Sequence, residues 1–185
     1  MKVVKIGGSL ERSGDLMICL DRVIKQNRQG LVIVPGGGLF AEQVRLAQQR
    51  WGFDEVSAHH MAILAMQQMA LLFKALQPAL QMKGSVAAIR SALAAGRIAL
   101  WSPAISALDA ADIAASWDIT SDSLAAWLAT ELGAQELVLV KSAKVAADAD
   151  IEALAGRGIV DPALPRFTAQ ATYKITIINK DSLSC

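Results

Sequence analysis

Two glycine-rich segments, each directly after a short apolar run, have the residue types and spacing that suit an anion. The first, KIGGS, places a lysine just ahead of two glycines, and the second, VPGGG, places three glycines in a row. Glycines at such positions let backbone amides approach a ligand closely, and amides and an ammonium group both suit phosphate. Each segment alone is typical of a plain turn as well, so the prediction depends on both. The candidates are Lys5, Gly7, Gly8, Ser9, Gly36, Gly37 and Gly38.

Two further segments add an acid and a second lysine. ITSDS precedes an alanine-rich helical pattern, and LVLVKS ends another apolar run. Thr120 and Ser121 are typical of ordinary helix N-caps, and Asp122 is typical of a first-turn acid that complements the helix dipole. Strand-end lysines are usually solvated, but Lys5 and Lys141 share the same placement. The additional candidates are Thr120, Ser121, Asp122, Lys141 and Ser142.

Short β-rich runs alternate with longer helical patterns. Strands are predicted at residues 3–6, 31–34, 98–101, 137–140 and 175–178, and helices at 15–29, 39–50, 57–76, 85–95 and 120–132. This alternation predicts an α/β fold, a three-layer αβα sandwich on a mainly parallel sheet, as a single domain over residues 1–185. Ligands bind outside the carboxyl ends of such strands, where the glycine segments would meet. Residues 143–170 are expected to be surface loop with one short helical piece.

Composition limits the classes of function. The 18 Lys and Arg residues nearly balance 17 Asp and Glu residues, without blocks of like charge, which argues against a nucleic-acid or anionic-membrane binder. A hydrophobic content of 54 % excludes disorder. The uncharged stretch 56–73 contains histidines and glutamines, so we expect no membrane span. With no signal-peptide pattern, and with Cys19 and Cys185 far apart, we expect a cytoplasmic protein with reduced thiols.

Taken in order, KIGGS, VPGGG, ITSDSLAAWLA and LVLVKS resemble the amino-acid kinase superfamily, from the N-terminus to about residue 142. AHHMAILAMQQMA, SWDITSDSLAAWLA and IVDPALPRF are most similar to the small kinases of methanofuran synthesis, which phosphorylate an aminomethylfuran-methyl phosphate. The resemblance implies a kinase that uses ATP and Mg²⁺ on a phosphate-bearing small molecule, with no metal ligand from the protein. It also implies a homodimer, because family members commonly pair through the region of the long apolar helix.

The resemblance assigns a role to each candidate. Lys5 would contact the transferred phosphoryl group, Lys141 would neutralise charge from the nucleotide side, and Asp122 would orient both lysines as the third catalytic residue. The residues implied for nucleotide phosphates are Gly7, Gly8, Ser9 and Ser142. Those implied for the acceptor are Gly36, Gly37, Gly38, Thr120 and Ser121.

Departures from the family pattern leave an alternative open. KSAKVAADAD stands where classical members have a TDVDG-type nucleotide segment, INK replaces a glycine near the last strand, and the C-terminal nucleotide lobe is expected to be shortened. The alternative is a degenerate, non-catalytic member that binds a metabolite or a partner subunit. A dinucleotide site is disfavoured because GxGxxG is lacking. His59 and His60 are expected at capping or surface positions, although some family members place a histidine near the acceptor phosphate.

Overall fold

The chain folds around one six-stranded sheet in which every neighbouring pair of strands is parallel. The computed structural model describes residues 1–11, 14–26, 30–146 and 149–183. Its strands are β1 Lys2–Ile6, β2 Leu31–Pro35, β3 Gln81–Lys83, β4 Ala99–Trp101, β5 Glu136–Lys141 and β6 Lys174–Asn179. Their order is β3-β4-β2-β1-β5-β6. The central strands are apolar almost throughout because helices cover both faces of a parallel sheet.

Helices cover the sheet on both faces and confirm the predicted three-layer α/β fold. They are α1 Leu16–Gln26, α2 Gly38–Trp51, α3 Glu55–Leu76, α4 Val86–Ala94, α5 Ile105–Ala110, α6 Ser121–Leu132, α7 Ile151–Gly156 and α8 Leu164–Thr168. Alternate residues of β1 enter opposite cores: Val3 packs with side chains of α4, α6 and α8, and Val4 packs with side chains of α1. Helix α6 therefore packs beside the central strands, and its start lies there as well.

The long helix α3 packs into both cores, which explains why it is apolar nearly all round. Ile63 and Met66 belong to the core that contains α6, whereas Met69 and Phe73 belong to the core that contains α1. In the described part of the chain, α3 is the one helix long and apolar enough to cross a membrane, and 44 % of its most apolar window is buried within the protein. Core helices of soluble proteins often have the same composition.

The segment after β5 is more ordered than the sequence predicted. Leu154, Val160 and Leu164 are buried against the core that contains α6, and two short helices form there. The prediction of a surface loop over 143–170 was therefore wrong, because isolated apolar residues in this segment cover part of the sheet. The short elements β3 and α5 were also missed, since three and six residues carry too little periodicity to identify.

Two sequence predictions lie partly outside the described residues. The predicted end of the first helix at residue 29 and the second cysteine, Cys185, cannot be placed for this reason. Cys19 is a buried, free thiol on α1, and burial raises its pKa. A buried thiol with a raised pKa is a poor nucleophile, so Cys19 is core packing.

Candidate active site

Pairing of β1 with β5 brings the two predicted lysines to one end of the sheet. Lys5 lies opposite Leu139, so Lys141 follows at the carboxyl end of the neighbouring strand. The carboxylate of Asp122, in the first turn of α6, lies between them. Its Oδ1 is 2.7 Å from Nζ of Lys5, and its Oδ2 accepts a hydrogen bond from Nζ of Lys141. Both lysines and the acid are buried, so they are not ordinary solvated side chains.

These three residues, the Lys-Asp-Lys cluster, hold an ionised acid inside the protein. Asp122 is only 2 % exposed. Burial alone would raise the pKa of Asp122, but the ammonium groups of Lys5 and Lys141 outweigh it and lower the pKa to about 2. Burial and the charge of Lys5 lower the pKa of Lys141, and Asp122 opposes that shift. One carboxylate thus keeps two ammonium groups together at the carboxyl edge of the sheet, where they can attract phosphoryl oxygens.

A second buried acid, Asp161, joins the start of α6 from the segment between α7 and α8. Its Oδ2 accepts hydrogen bonds from the N–H groups of Thr120 and Ser123, each at 2.9 Å. Its Oδ1 accepts one from the hydroxyl of Thr120 at 2.5 Å, and its own N–H donates to Oδ2 of Asp122 at 3.3 Å. Thr120 occupies the N-cap position without a capping bond from its side chain. The cap of α6 is therefore supplied from a distant part of the chain.

The two glycine segments pack against each other at the level of the backbone. A side chain on Gly8 would overlap the backbone nitrogen of Gly38, and the Cβ of a residue replacing Gly36 would lie 2.6 Å from the nitrogen of Gly8. Gly38 also has a φ of +56°, a conformation that side chains disfavour. The close approach of the segments therefore requires glycine at these positions.

Hydrogen bonds within the glycine segments decide which amides remain for a ligand. The N–H of Gly7 donates to the carbonyl of Val140, and that of Gly36 donates to the carbonyl of Ile6. These bonds extend the sheet and leave neither amide for phosphate. Of the five glycines in these two segments, all of which the structure describes, Gly8, Gly37 and Gly38 have backbone amides with no acceptor in the protein.

On the β5 side of the glycine segments, the loops are tied to one another. The hydroxyls of Ser9 and Ser142 hydrogen-bond at 2.9 Å. Asn179, at the end of β6, donates its side-chain amide to the carbonyls of Ser142 and Ala143 at 2.9 and 2.8 Å. The asparagine in INK therefore joins the ends of two neighbouring strands.

Beyond Gly37 lies a cavity of about 100 Å³ between α2, α3 and the loop before α6. Much of its wall is apolar. Polar groups reach it from Arg45, His59, Thr120 and Ser121. The cavity thus combines an apolar wall with a cation and with the first residues of α6, and an anion with a compact apolar body would match it.

Trp117 forms one wall of this cavity and is held in place by α2. Its Nε1–H donates to Oε1 of Gln48 at 2.6 Å, and the guanidinium of Arg45 lies 4.0 Å from the ring centre. Stacking of this kind orients both the ring and the cation. Trp117 thus lines the cavity, whereas Trp101 and Trp127 pack together with ring centres 6.0 Å apart.

The two histidines at the start of α3 differ in environment. His59 is buried, and its Nε2 finds no hydrogen-bond partner in the described structure. Burial and the neighbouring His60 lower the pKa of His59. His60 is half-buried and lies 3.1 Å from Asp109, while Asp54 caps the helix. The expectation of a capping or surface position was therefore wrong for His59.

No group of three or more His, Cys, Asp or Glu side chains is placed to hold a metal ion in the described residues. Asp122 is not available either, since both of its oxygens face ammonium groups. Glu11 lies beside the second glycine segment, where its Oε2 accepts a hydrogen bond from the N–H of Leu39 at 3.3 Å. A divalent cation that accompanies phosphates takes most of its ligands from them and from water.

Most predicted site residues converge at the carboxyl edge of the sheet. Asp161, Arg45 and Gln48 were not predicted. For Asp161, the one signal in the sequence was an acid that follows apolar residues in IVDP. For Arg45 and Gln48, the signal was their spacing, which places both on the face of α2 that contacts Trp117. Neither signal identifies a site unless the position of the partner segment is known.

A parallel sheet whose carboxyl edge holds two abutting glycine segments and a buried Lys-Asp-Lys cluster is typical of α/β proteins that bind phosphate groups. The chain belongs to the amino acid kinase family, whose model matches residues 1–150.

A curated relative and several solved structures are similar to the chain. It is 30 % identical over 141 residues to (5-(aminomethyl)furan-3-yl)methyl phosphate kinase of Methanocaldococcus jannaschii, which covers 75 % of this chain. The chain spans 64 % of the length of that relative. Uridylate kinase from Archaeoglobus fulgidus aligns with a TM-score of 0.71 at 19 % identity, covering 97 % of this chain and 91 % of that one. UMP kinase from Bacillus anthracis aligns with a TM-score of 0.69 at 12 % identity, covering 98 % and 87 %. These two structures support the fold.

Proposed function

We propose that this protein is a small-molecule kinase that transfers the γ-phosphoryl group of ATP to a phosphate monoester. The observation that carries the proposal is the buried Lys-Asp-Lys cluster beside the backbone amides of Gly8, Gly37 and Gly38. Membership of the amino acid kinase family supports it, as does the name of the curated relative, which is a kinase of a phosphate monoester.

Phosphoryl transfer requires positioning of the substrates and positive charge more than it requires covalent catalysis. An oxygen of the acceptor phosphate bonds to the γ-phosphorus, the bond to the bridging oxygen breaks, and ADP leaves while the acceptor becomes a diphosphate. Lys5 and Lys141 would neutralise the charge on the transferred group. Asp122 would hold both ammonium groups in place before the substrates arrive, which is the preorganisation that stabilises a charged transition state.

Each side of the cluster is assigned one substrate. Gly8, Ser9 and Ser142 would hold the nucleotide phosphates, and Gly37 and Gly38 would hold the acceptor phosphate. Mg²⁺, when bound, would neutralise the nucleotide phosphates and would take its ligands from them and from water. This arrangement agrees with the occupied oxygens of Asp122.

We further propose a compact acceptor, of the aminomethylfuran-methyl phosphate type. The cavity beyond Gly37 is about 100 Å³ and largely apolar, which suits a small ring. The curated relative is itself a kinase of this furan phosphate.

The direct test is ADP release with Mg-ATP and a panel of monoesters that includes the furan phosphate and uridine monophosphate. We expect turnover with the furan phosphate and little with the nucleotide. Lys5→Ala should abolish the turnover, whereas Lys174→Ala, at an exposed lysine on the opposite edge of the sheet, should leave it unchanged. Equal rates for Lys5→Ala and the native protein would reject the site assignment.

The non-catalytic alternative is favoured by one observation, the bonds from Asn179 to the β5 loop on the side assigned to the nucleotide. Thermal unfolding with and without Mg-ATP distinguishes the kinase from the non-catalytic protein, because a ligand that binds the folded state raises the midpoint temperature of unfolding. A shift that Lys5→Ala removes supports the kinase. No shift, together with a shift produced by the furan phosphate alone, supports a metabolite-binding protein.

We also propose that the protein forms a homodimer through the exposed side of α3. Val56, Met61, Leu64 and Leu71 are exposed there, between 39 % and 59 % each, although other apolar residues of the helix are core. An apolar stripe of this kind is typical of a subunit interface. Sedimentation should show a dimer at micromolar concentration, and Leu64→Lys with Leu71→Lys should convert it to a folded monomer.

A further inference from the structure

We infer that Asp161 is a positioning residue, which holds Asp122 and through it the two lysines in their working orientation. The effect of Asp161 on catalysis rests on the proposed function. The position of the lysines can be measured without turnover, so the inference about Asp161 and the proposed function can fail separately.

The first support is the way α6 begins. The first backbone N–H groups of a helix need acceptors, and these are normally supplied by the side chain at the N-cap. Here the side chain of Thr120 does not cap the helix. Instead, Asp161 accepts hydrogen bonds from the N–H groups of Thr120 and Ser123. Asp122 lies between these two residues, so its backbone position is set by an acid from another segment.

The second support is a direct contact with the carboxylate. The N–H of Asp161 donates to Oδ2 of Asp122, the oxygen that also faces Lys141. A parallel backbone bond, from the N–H of Ala163 to the carbonyl of Asp118, holds the same two segments together at 3.1 Å. Asp161 therefore fixes Asp122 both through the helix start and through its side chain.

The third support is burial. Asp161 is 8 % exposed, and both of its oxygens accept hydrogen bonds from the start of α6. The segment around it is anchored by Leu164, which is fully buried.

Two substitutions separate position from charge. Asp161→Ala removes all three accepted hydrogen bonds and leaves the start of α6 without its cap. Asp161→Asn can keep the same contacts, because its carbonyl can accept both N–H groups while its amide donates to the hydroxyl of Thr120. Asp54→Ala, which uncaps α3 away from the cluster, is the matched control for loss of a helix cap.

The experiment records lysine ammonium signals by ¹H–¹⁵N correlation on the full chain, assigned with Lys5→Arg and Lys141→Arg. Ammonium protons held by a buried carboxylate exchange slowly with water. We expect Asp161→Ala to speed their exchange about tenfold or more, and Asp161→Asn and Asp54→Ala to keep the native rates. In parallel, kcat per folded molecule should fall about 100-fold in Asp161→Ala and stay within about fivefold in the other two.

Native exchange rates in folded Asp161→Ala would overturn the inference. Equal damage in Asp161→Asn would also overturn it, because the charge and not the position would then matter. If no variant, nor the native protein, turns over the acceptors, the proposed function fails while the exchange rates still decide the role of Asp161.

Discussion

The two sides of the Lys-Asp-Lys cluster are built differently. On the acceptor side, at Gly37 and the cavity beyond it, backbone amides lack partners and an open space adjoins them. On the donor side, at Ser9, Ser142 and Asn179, the loops are joined by hydrogen bonds of 2.8 to 2.9 Å. The acceptor side is therefore open to a ligand, whereas on the donor side the loop at Ser142 must exchange internal bonds for bonds to a nucleotide.

This difference suggests how a chain that departs from the family pattern at the ends of β5 and β6 can keep one substrate site while altering the other. The residues nearest the cluster fit phosphoryl transfer, and the departures from the family pattern lie farther out, along the ends of β5 and β6. Preformed sites bind with less loss of conformational entropy than sites that must rearrange. We therefore expect the acceptor to bind without ATP more readily than ATP binds without the acceptor.

The largest effect is expected where both sides meet, at Asp122. Asp122→Asn leaves two buried ammonium groups without their counter-charge, so kcat should fall about 1000-fold and the free energy of unfolding by about 3 kcal/mol. Steady-state assays and urea unfolding measure the two losses. Asp118→Asn, at an exposed acid in the preceding loop, should change neither.

Gly8→Ala should damage both sides because Gly8 touches the acceptor segment through Gly38. The added methyl group overlaps the backbone nitrogen of Gly38 and must push the segments apart, so we expect about a 100-fold loss of kcat/KM. Gly156→Ala is the control, since that glycine faces open space in α7 and should gain about 0.5 kcal/mol in stability. Native activity in Gly8→Ala would show that the segments need not touch.

Acid should weaken the cluster that both sides share. The pKa of Asp122 is lowered from 3.8 to about 2, so its stabilisation is complete above pH 3.8 and is lost as the pH falls towards 2. The loss amounts to roughly 2 kcal/mol. Urea unfolding between about pH 5 and about pH 2 should show it in the native chain and not in Asp122→Asn. The raised pKa of Asp161 acts with the opposite sign and makes the observed slope smaller.

Trp117→Ala tests whether the acceptor side selects by size. Removing the ring enlarges the cavity and frees Arg45 and Gln48, so kcat/KM for the furan phosphate should fall about tenfold. The ratio of activity with uridine monophosphate to activity with the furan phosphate should rise. Trp127→Ala, which removes a core ring, should lower stability and leave this ratio unchanged. An unchanged ratio in Trp117→Ala would mean that another wall sets the size limit.

Asn179→Ala gives the smallest expected effect and tests the donor side. Releasing the carbonyls of Ser142 and Ala143 should make the nucleotide loop easier to open, and affinity for Mg-ATP should rise about threefold by calorimetry. Stability should fall by about 1 kcal/mol for the lost hydrogen bonds. Thr176→Val removes a side-chain bond at the other end of β6 and is the control. Weaker binding in Asn179→Ala would show that these bonds support the nucleotide site.

Much of the fold was predictable because its signals are local. Apolar runs ending in glycine or lysine marked β1, β2 and β5, and long periodic stretches marked α2, α3 and α6. The tail after β5 was not predictable, since burial of Leu154 and Leu164 depends on a sheet face that their own neighbours do not reveal. His59 was misplaced for the same reason, because a helix apolar nearly all round does not show which side meets the core.

The sequence by itself determined the order of the longer strands and helices along the chain, the glycines that permit close backbone approach, and the family to which those motifs point. These follow from short-range periodicity and from backbone conformation, which neighbouring residues control. Only the tertiary structure decided that Lys5, Lys141, Asp122 and Asp161 share one buried cluster. Their meeting depends on the parallel register of β1 with β5 and on where α6 and the IVDP segment cross that edge. Burial orients these four ionisable side chains toward one another, because attraction between ions is strong only where water is excluded.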